Sequence, residues 1–170
     1  MPSISLQAPA KLNLFLHVTG RLPNGYHTLQ SVFVLIDLCD TIELNLINDG
    51  VIRRTGDVIG QPERDLCVRA ARLLQQKFSV PLGVEINVTK RIPAGAGMGG
   101  GSSDAASTLL GLNQLWGLKL SKERLMELGQ NLGADVPFFL LGTNAWVEGI
   151  GEKLTAIDVP EMTFAVVWPG

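Results

Sequence analysis

The 170-residue sequence predicts an α+β or mixed α/β domain, with strands first and helices gathered in the middle. Apolar residues repeat at every second position in the first third of the chain, which is typical of half-buried strands. They are followed by apolar repeats near 3.6 residues, the period of a helix. A chain of this length with 46% hydrophobic residues is sufficient to bury the core of one domain.

The strand predictions follow from alternation and turn residues. Ile4 and Leu6 alternate with serines, and Leu12, Leu14 and Leu16 continue the period of two. Beyond these, the sequence predicts a turn at 20–25, a hairpin of strands Leu29–Leu38 and Thr41–Ile47 broken by a short turn at Cys39 and Asp40, a loop over 48–64, and a strand at Val84–Thr89.

Capping residues and helical periodicity predict three helices. Asp65 suits the N-cap of a helix whose apolar residues run from Leu66 to Phe78, and Ser121 caps a helix that Gly133 closes. Between them, a helix at 102–116 has the apolar face Ala105, Ala106, Leu109, Leu112 and Trp116. Short apolar segments at 137–141, 145–150 and 162–168 follow without a predicted type.

Charge and cysteine content argue against several classes of protein. Lys and Arg number 14 against 16 Asp and Glu, a net charge of −2, so bulk electrostatic binding of nucleic acid is not expected. Cys39 and Cys67 are too few for a disulfide framework, do not cluster as zinc ligands do, and are predicted to be buried thiols in a reducing compartment. No apolar run approaches the ~20 residues of a membrane-spanning helix, and no signal-peptide pattern is visible. The sequence predicts a cytoplasmic protein without a nucleic-acid or membrane partner.

The segment between a strand pattern and a helix pattern at 93–103 carries the strongest functional signal. Its sequence is Pro93, Ala94, Gly95, Ala96, Gly97, Met98, Gly99, Gly100, Gly101, Ser102 and Ser103. Glycines allow positive φ and expose backbone N–H groups, while serine hydroxyls and a helix N-terminus add further donors. Such a segment suits a phosphate group; the alternative is a flexible loop that binds nothing.

Other known phosphate-binding loops fit this segment less well. Residues 95–100 match G-x-G-x-x-G, but Pro93 follows the strand and no ribose-binding acid lies on a second strand soon after. A P-loop would have a Lys-Ser/Thr pair after its glycines, and a protein-kinase loop would have His-Arg-Asp and Asp-Phe-Gly partners. Neither is present in the sequence.

A series of motifs between residues 8 and 170 resembles the GHMP kinase family. Its central motif, Pro-x-x-x-Gly-Leu-Gly-Ser-Ser-Ala-Ala, is similar to residues 93–106, with Met98 at the usual Leu and extra glycine before the serines. Further matching motifs, in the same order as in the family, are Ala-Pro-Ala-Lys-Leu-Asn-Leu at 8–14, Asn-Gly-Tyr-His at 24–27, Leu-Asn-Gln-Leu-Trp at 112–116 and Leu-Gly-Ala-Asp-Val-Pro at 132–137. The resemblance implies a GHMP kinase N-terminal domain, a ribosomal protein S5 domain 2-like mixed sheet packed on helices. It also implies ATP as phosphate donor, Mg²⁺ accompanying ATP, and a small-molecule alcohol as acceptor.

Lys11 and Asp135 are the candidate catalytic residues. By spacing alone, a lone lysine in a strand points to water and an aspartate near a proline forms a turn. The resemblance implies instead that Asp135 accepts the proton of the attacking hydroxyl. It also implies that Lys11 holds this aspartate ionised and neutralises charge on the transferred phosphate.

Asn13, Tyr26 and His27 are the candidate substrate-binding residues. Asn13 shares the face of Lys11, so its amide suits either a substrate hydroxyl or a cross-strand hydrogen bond. The resemblance to a branch of the family with a cytidyl-bearing acceptor implies that Tyr26 stacks on cytosine and His27 bonds to its polar edge. Without that resemblance, the pair would be a half-buried aromatic and a surface histidine. Lys90 is either a nucleotide contact or an exposed lysine at a strand end.

The resembling kinases continue into a second domain. Residues 1–170 are therefore expected to be an N-terminal ATP-binding and catalytic domain without the C-terminal domain, with weak or no activity alone. The surface for the missing half is expected to expose apolar side chains and to favour self-association. Two rival hypotheses remain: another GHMP small-molecule kinase, and a non-catalytic ATP-binding sensor or remnant.

Overall fold

The computed structural model describes residues 2–61 and 64–168, and in these ranges the chain forms six strands and four helices. In chain order these are β1 (Ser3–Arg21), β2 (His27–Ile47), β3 (Ile52–Gly56), α1 (Leu66–Lys77), β4 (Gly83–Thr89), α2 (Gly100–Leu115), α3 (Lys122–Gln130), α4 (Val136–Leu141), β5 (Ala145–Glu148) and β6 (Lys153–Ala156). The order of elements confirms the predicted α+β class.

The sheet is built around β2, which is long enough to pair with three strands. Along one edge it pairs antiparallel with β1, and along the other with β4 through residues 41–47 and with β5 through residues 31–33. The path across the sheet is β3-β4-β2-β5-β6, with β1 on β2. Because β3 runs parallel to β4 and the other pairs are antiparallel, the sheet is mixed, as expected.

One face of the sheet is apolar and packs on the helices, and the other is polar. Ile42 lies opposite Val88 and Leu44 opposite Ile86, and all four are buried in one core with helical residues such as Leu74. On the other face, the Asn87 amide donates to the Glu43 carboxylate at 3.0 Å, across the same pair of strands. This alternation follows from the period-two sequence pattern.

Helix α2 lies at the centre of the core. The five residues predicted for its apolar face, Ala105, Ala106, Leu109, Leu112 and Trp116, are all buried. At Gly111 a Cβ would come within 2.4 Å of Leu44 Cδ1, so glycine lets the helix lie directly on the sheet. This close packing fixes the start of α2, and with it the end of the glycine-rich segment, relative to β1 and β2.

The N-cap predictions are confirmed. The Asp65 carboxylate accepts hydrogen bonds from the amides of Cys67 and Val68, and the Ser121 hydroxyl accepts from the Arg124 amide. Helix α3 ends at Gln130, three residues before Gly133, and α2 begins at Gly100, two residues earlier than expected.

The predicted hairpin at Cys39 and Asp40 is wrong, because β2 continues without interruption from His27 to Ile47. Where the turn was expected, β2 carries a bulge: Pro9 pairs with Cys39, whereas the next residue, Ala10, pairs with Ile36. Asp40 resembles a turn residue in sequence but is fully buried, because tertiary partners satisfy its carboxylate.

The loop predicted over 48–64 contains β3, and its Pro62 and Glu63 lie outside the described residues. Of the three short apolar segments, 137–141 is helical and 145–150 contains β5. The third, at 162–168, has no helix or strand and exposes Val167 to 88%.

Candidate active site

The glycine-rich segment folds as a series of left-handed turns that leads into α2. Gly95, Gly97 and Gly99 have φ of 73°, 72° and 72°, a region that other residues rarely adopt. A Cβ on Gly95 or Gly97 would meet nothing within 4 Å, so this side of the segment is open for a ligand. Gly99 is the N-cap of α2 and has no side chain to occupy the first amides of the helix.

The closed side of the segment is fixed to β1. The Met98 side chain is buried in a small core with Ala10 and Ile92, and the Met98 carbonyl accepts a 3.0 Å hydrogen bond from the Lys11 amide. Met98 therefore anchors the segment through both its side chain and its carbonyl. The segment is rigidly attached on one face and free of side chains on the other.

Lys11 and Asp135 lie together beside this segment. The Lys11 ammonium is 3.8 Å from Asp135 Oδ2, an ion pair longer than a hydrogen bond. Asp135 is the N-cap of α4, but its carboxylate makes no capping hydrogen bond and is about one-third exposed. The carboxylate is thus available to a hydroxyl group that approaches from solvent.

The surroundings of Lys11 explain how a lysine is held in a strand interior. Its side chain is 95% buried; its ammonium donates to Asn13 Oδ1 at 2.8 Å and lies 4.4 Å from the centre of the Phe33 ring. Burial lowers the pKa of Lys11, and the negative charge of Asp135 partly opposes this shift. The hydrogen bond also confirms that Asn13 and Lys11 share a face of β1.

Aromatic packing fixes α4, and hence Asp135, against the sheet. The Phe138 ring meets Phe33 of β2 edge-on at 5.2 Å, and Phe139 packs on Phe138 at the same distance. A Cβ on Gly99 would lie only 2.7 Å from Cζ of the Phe139 ring. The segment, the lysine strand and the aspartate helix therefore meet at one place.

Tyr26 and His27 lie apart from this pair, at the turn between β1 and β2. Tyr26 is 62% exposed, and His27 is also exposed. His27 is eight residues along β2 from Leu35, the partner of Lys11, which is about 26 Å of strand at about 3.3 Å per residue. No hydrogen bond or ion pair among the described residues joins either of them to Lys11 or Asp135, so one ligand would have to extend along the strands to reach both places.

A cleft of about 210 Å³ runs along the glycine-rich segment. Its wall includes charged residues that sequence reasoning did not assign to the site: Arg54, Asp57, Arg64, Asp65 and Asp104. Asp65 is both the N-cap of α1 and the partner of Arg54, whose Nε donates to its Oδ2 at 2.9 Å. Sequence offered one signal that Asp104 belongs to the site: it is a charged residue between Ser103 and the alanines of a buried helix face.

Lys90 lies between Asp40 and Asp104 and is not an exposed lysine at a strand end, one of the two alternatives expected from sequence. It lines the cleft along the glycine-rich segment, so a nucleotide contact, the other alternative, stays a prediction. Its ammonium forms ion pairs with Asp40 and with Asp104, the latter at 2.7 Å. Burial alone would lower the pKa of Lys90, but hydrogen bonds and charges from Asp104 and Asp40 raise it above its usual value. Burial raises the pKa of Asp104 to about 7; Lys90 opposes this rise and Asp40 adds to it.

Comparison with known proteins agrees with this geometry. Residues 65–143 match the GHMP kinases N terminal domain. The structure superimposes on a crystal structure of 4-(cytidine 5'-diphospho)-2C-methyl-D-erythritol kinase with a TM-score of 0.83 and 41% identity, over 92% of this chain and 56% of the other. Residues 65–143 of this chain thus carry the match to the GHMP kinase N-terminal domain, and the structural similarity extends over 92% of the chain. The predicted family resemblance and fold class are therefore confirmed.

Several sequence relatives of this chain carry the same name. The chain is 59% identical to the 4-diphosphocytidyl-2-C-methyl-D-erythritol kinase of Polynucleobacter necessarius subsp. necessarius (strain STIR1) over 99% of its length, and 61% identical to that of Methylibium petroleiphilum over 95%. It spans 57% and 56% of those proteins. The Methanococcus jannaschii mevalonate kinase, at 16% identity and a TM-score of 0.71, shares the fold.

Two further features of the GHMP kinase domain concern metals and membranes. Within residues 2–61 and 64–168, no group of three or more His, Cys, Asp or Glu side chains is arranged to hold a metal ion. No helix of the described chain is long and apolar enough to cross a membrane.

The contact between Gly99 and Phe139 gives a first prediction. Alanine at Gly97 or Gly99 introduces the same positive-φ strain, but only at Gly99 does the new methyl group overlap the Phe139 ring. We expect Gly99→Ala to lower the free energy of unfolding by about 1–3 kcal/mol more than Gly97→Ala, as in overpacked cores. Urea denaturation of both variants measures the difference, and equal losses would contradict it.

Asp104 gives a second prediction, on the pH dependence of stability. Its folded-state pKa of about 7 lies above the usual aspartate value of 3.8, so the folded protein binds more protons between these values and loses stability as pH rises through them. Asp104→Asn removes this titration but keeps an acceptor for Lys90. We expect the unfolding free energy of the variant, relative to the parent, to rise by about 2 kcal/mol from pH 5 to pH 8.

The control for this prediction is Asp158→Asn, at an exposed aspartate. Chemical denaturation at pH 5, 6.5 and 8 compares the three proteins. A difference between Asp104→Asn and the parent that is constant with pH would show that Asp104 does not titrate in this range.

Proposed function

We propose that this chain is the ATP-binding and catalytic part of a kinase. The enzyme would transfer the γ-phosphate of ATP to the 2-hydroxyl of 4-diphosphocytidyl-2-C-methyl-D-erythritol, in non-mevalonate isoprenoid precursor synthesis. The observation that carries the proposal is the Lys11–Asp135 ion pair beside the open face of the glycine-rich segment. The names of the relatives at 59% and 61% identity support the choice of acceptor.

The proposed transfer uses the partly exposed Asp135 carboxylate as base. Asp135 takes the proton of the acceptor hydroxyl as its oxygen attacks the γ-phosphorus. A new oxygen–phosphorus bond forms, and the bond from the γ-phosphorus to the β–γ bridging oxygen breaks, so ADP leaves with the electron pair. The buried positive charge of Lys11 keeps Asp135 ionised and stabilises negative charge that develops on the phosphoryl group.

ATP would bind with its phosphates along residues 93–103. The open sides of Gly95 and Gly97 and the uncapped start of α2 present N–H groups without side chains in the way. The Ser103 hydroxyl is buried and has no hydrogen-bond partner among the described residues, so it is available to a ligand that reaches the helix start. Mg²⁺ would accompany the ATP phosphates and neutralise their charge.

The acceptor would extend from Asp135 toward the β1–β2 turn. Exposed Tyr26 would stack on the cytosine and exposed His27 would bond to its edge, while Asn13 would hold a hydroxyl near Lys11. The distance from Lys11 to this turn favours an extended acceptor over a small one such as mevalonate.

We further propose that residues 1–170 are an N-terminal ATP-binding and catalytic domain that works with a second domain. The chain spans about 56–57% of its first curated relatives, which supports this proposal. We also propose self-association through the surface that would face the second domain. The exposed apolar side chains of Val166, Val167 and Trp168 support this proposal. The cytoplasmic location stays a prediction from cysteine usage.

An acceptor panel tests the proposed function. The chain, and a form extended to the length of its relatives, are assayed for ADP release with 4-diphosphocytidyl-2-C-methyl-D-erythritol, mevalonate, homoserine and galactose. We expect turnover in the extended form with the cytidyl acceptor alone, and little in the shorter one. Turnover with another acceptor would favour a different GHMP kinase. ATP binding without any turnover would favour a sensor, and equal turnover of both forms would overturn the two-domain proposal.

The base is tested by Asp135→Asn in the active form. Loss of general-base catalysis is expected to lower kcat by about 10²–10⁴-fold, while ATP affinity changes little because the carboxylate faces the acceptor. Asp158→Asn, at an exposed residue, serves as the matched control. Rapid-quench kinetics and ATP titration measure both quantities, and unchanged kcat in Asp135→Asn would remove this residue from the mechanism.

A further inference from the structure

A buried cluster of three charged side chains lies where the glycine-rich segment begins and ends, outside the proposed catalytic pair, and two of its members, Lys90 and Asp104, line the cleft. It consists of Asp40 on β2, Lys90 immediately after β4, and Asp104 in the second turn of α2. We call these three residues the rear triad. Asp40 is fully buried, and the side chains of Lys90 and Asp104 are 14% and 7% exposed. The triad joins three elements that are distant in the chain.

The rear triad holds the backbone where the glycine-rich segment begins. Asp40 Oδ1 accepts hydrogen bonds from the amides of Arg91 and Ile92, at 2.5 and 2.8 Å, while its Oδ2 pairs with the Lys90 ammonium. Ile92 then packs against Met98, which anchors the segment on β1. The position of residues 91–92 is therefore set by a buried carboxylate whose charge Lys90 balances.

The rear triad also holds the other end of the segment. Lys90 pairs with Asp104 at 2.7 Å, within the first turns of α2. A Cβ on Gly100 would lie 3.2 Å from the Lys90 ammonium, so this ammonium packs against the backbone of the segment. One side chain thus connects the entry of the segment at 91–92 with its exit into α2.

We propose that Lys90 is a positioning residue that sets the spacing of the two ends of the glycine-rich segment through Asp40 and Asp104, and thereby its affinity for ATP. The inference rests on the proposed function insofar as the ligand is ATP. Without Lys90, two buried carboxylates would lie close together without a cation, and the ends of the segment would separate. The amides of the segment would then no longer converge on a phosphate group.

A double-mutant cycle separates positioning from direct contact with the nucleotide. Lys90→Met, Asp104→Ala and the double variant are titrated with Mg-ATP at pH 8 by calorimetry. We expect each single change to weaken ATP binding by about tenfold, and the double variant to bind about as weakly as Lys90→Met, because both changes break one connection. Asp104→Asn, which retains an acceptor for Lys90, is expected to bind ATP nearly as the parent does.

Two further measurements accompany the cycle. Lys153→Met, at an exposed lysine, is the matched control and should leave ATP affinity unchanged. Hydrogen exchange of the amides in residues 94–101 should become faster in Lys90→Met without ATP, a local effect that does not depend on nucleotide binding. If Lys90→Met fails to fold, the comparison of Asp104→Ala with Asp104→Asn still decides the question.

Several results would overturn the inference. Additive losses of about a hundredfold in the double variant, or unchanged affinity in Asp104→Ala, would indicate that Lys90 acts on the nucleotide directly. A parent chain that binds no ATP would overturn both this inference and the proposed function. A parent chain that binds ATP but phosphorylates no acceptor would overturn only the proposed function, and the cycle would still decide the role of Lys90.

Discussion

The hydrogen bond from the Lys11 amide to the Met98 carbonyl is the interaction on which the site depends. It joins the strand that carries the catalytic lysine candidate to the segment that would hold the phosphates. On one side of this bond, Met98 is buried with Ala10 and Ile92; on the other, the Lys11 side chain reaches Asp135. This backbone hydrogen bond fixes the segment relative to Lys11, which pairs with Asp135. A phosphoryl group bound on the segment and the base at the start of α4 can therefore be aligned with each other.

The same site places charged groups in a partly apolar setting, and each one is compensated by a specific neighbour. Lys11 is compensated by Asn13, the Phe33 ring and Asp135. Lys90 is compensated by Asp40 and Asp104. Because a buried charge without a partner is unfavourable, these pairs restrict the arrangements available to the surrounding backbone. Rigidity of the segment therefore derives from buried charges at its two ends as well as from packing beneath it.

Local signals predicted most of the elements, and tertiary contacts account for the errors. Asp65 and Ser121 cap their helices as expected, because a capping residue needs only the next two or three amides. Asp40 led to a false turn because its partners, the amides of Arg91 and Ile92, lie on a distant part of the chain. Strand β3 was missed because it is a short polar strand held by parallel pairing with β4.

By itself, the sequence determined the α+β class, the glycine-rich segment before a helix, and the resemblance that singled out Lys11 and Asp135. Those features depend on residue order and local conformational preference, which a sequence displays directly. Only the tertiary structure decided that the Asp135 carboxylate remains uncapped beside Lys11, and that Lys90 is enclosed between Asp40 and Asp104. These pairings join residues far apart in the chain, and they form only when α2 and α4 pack on the sheet and bring the elements together.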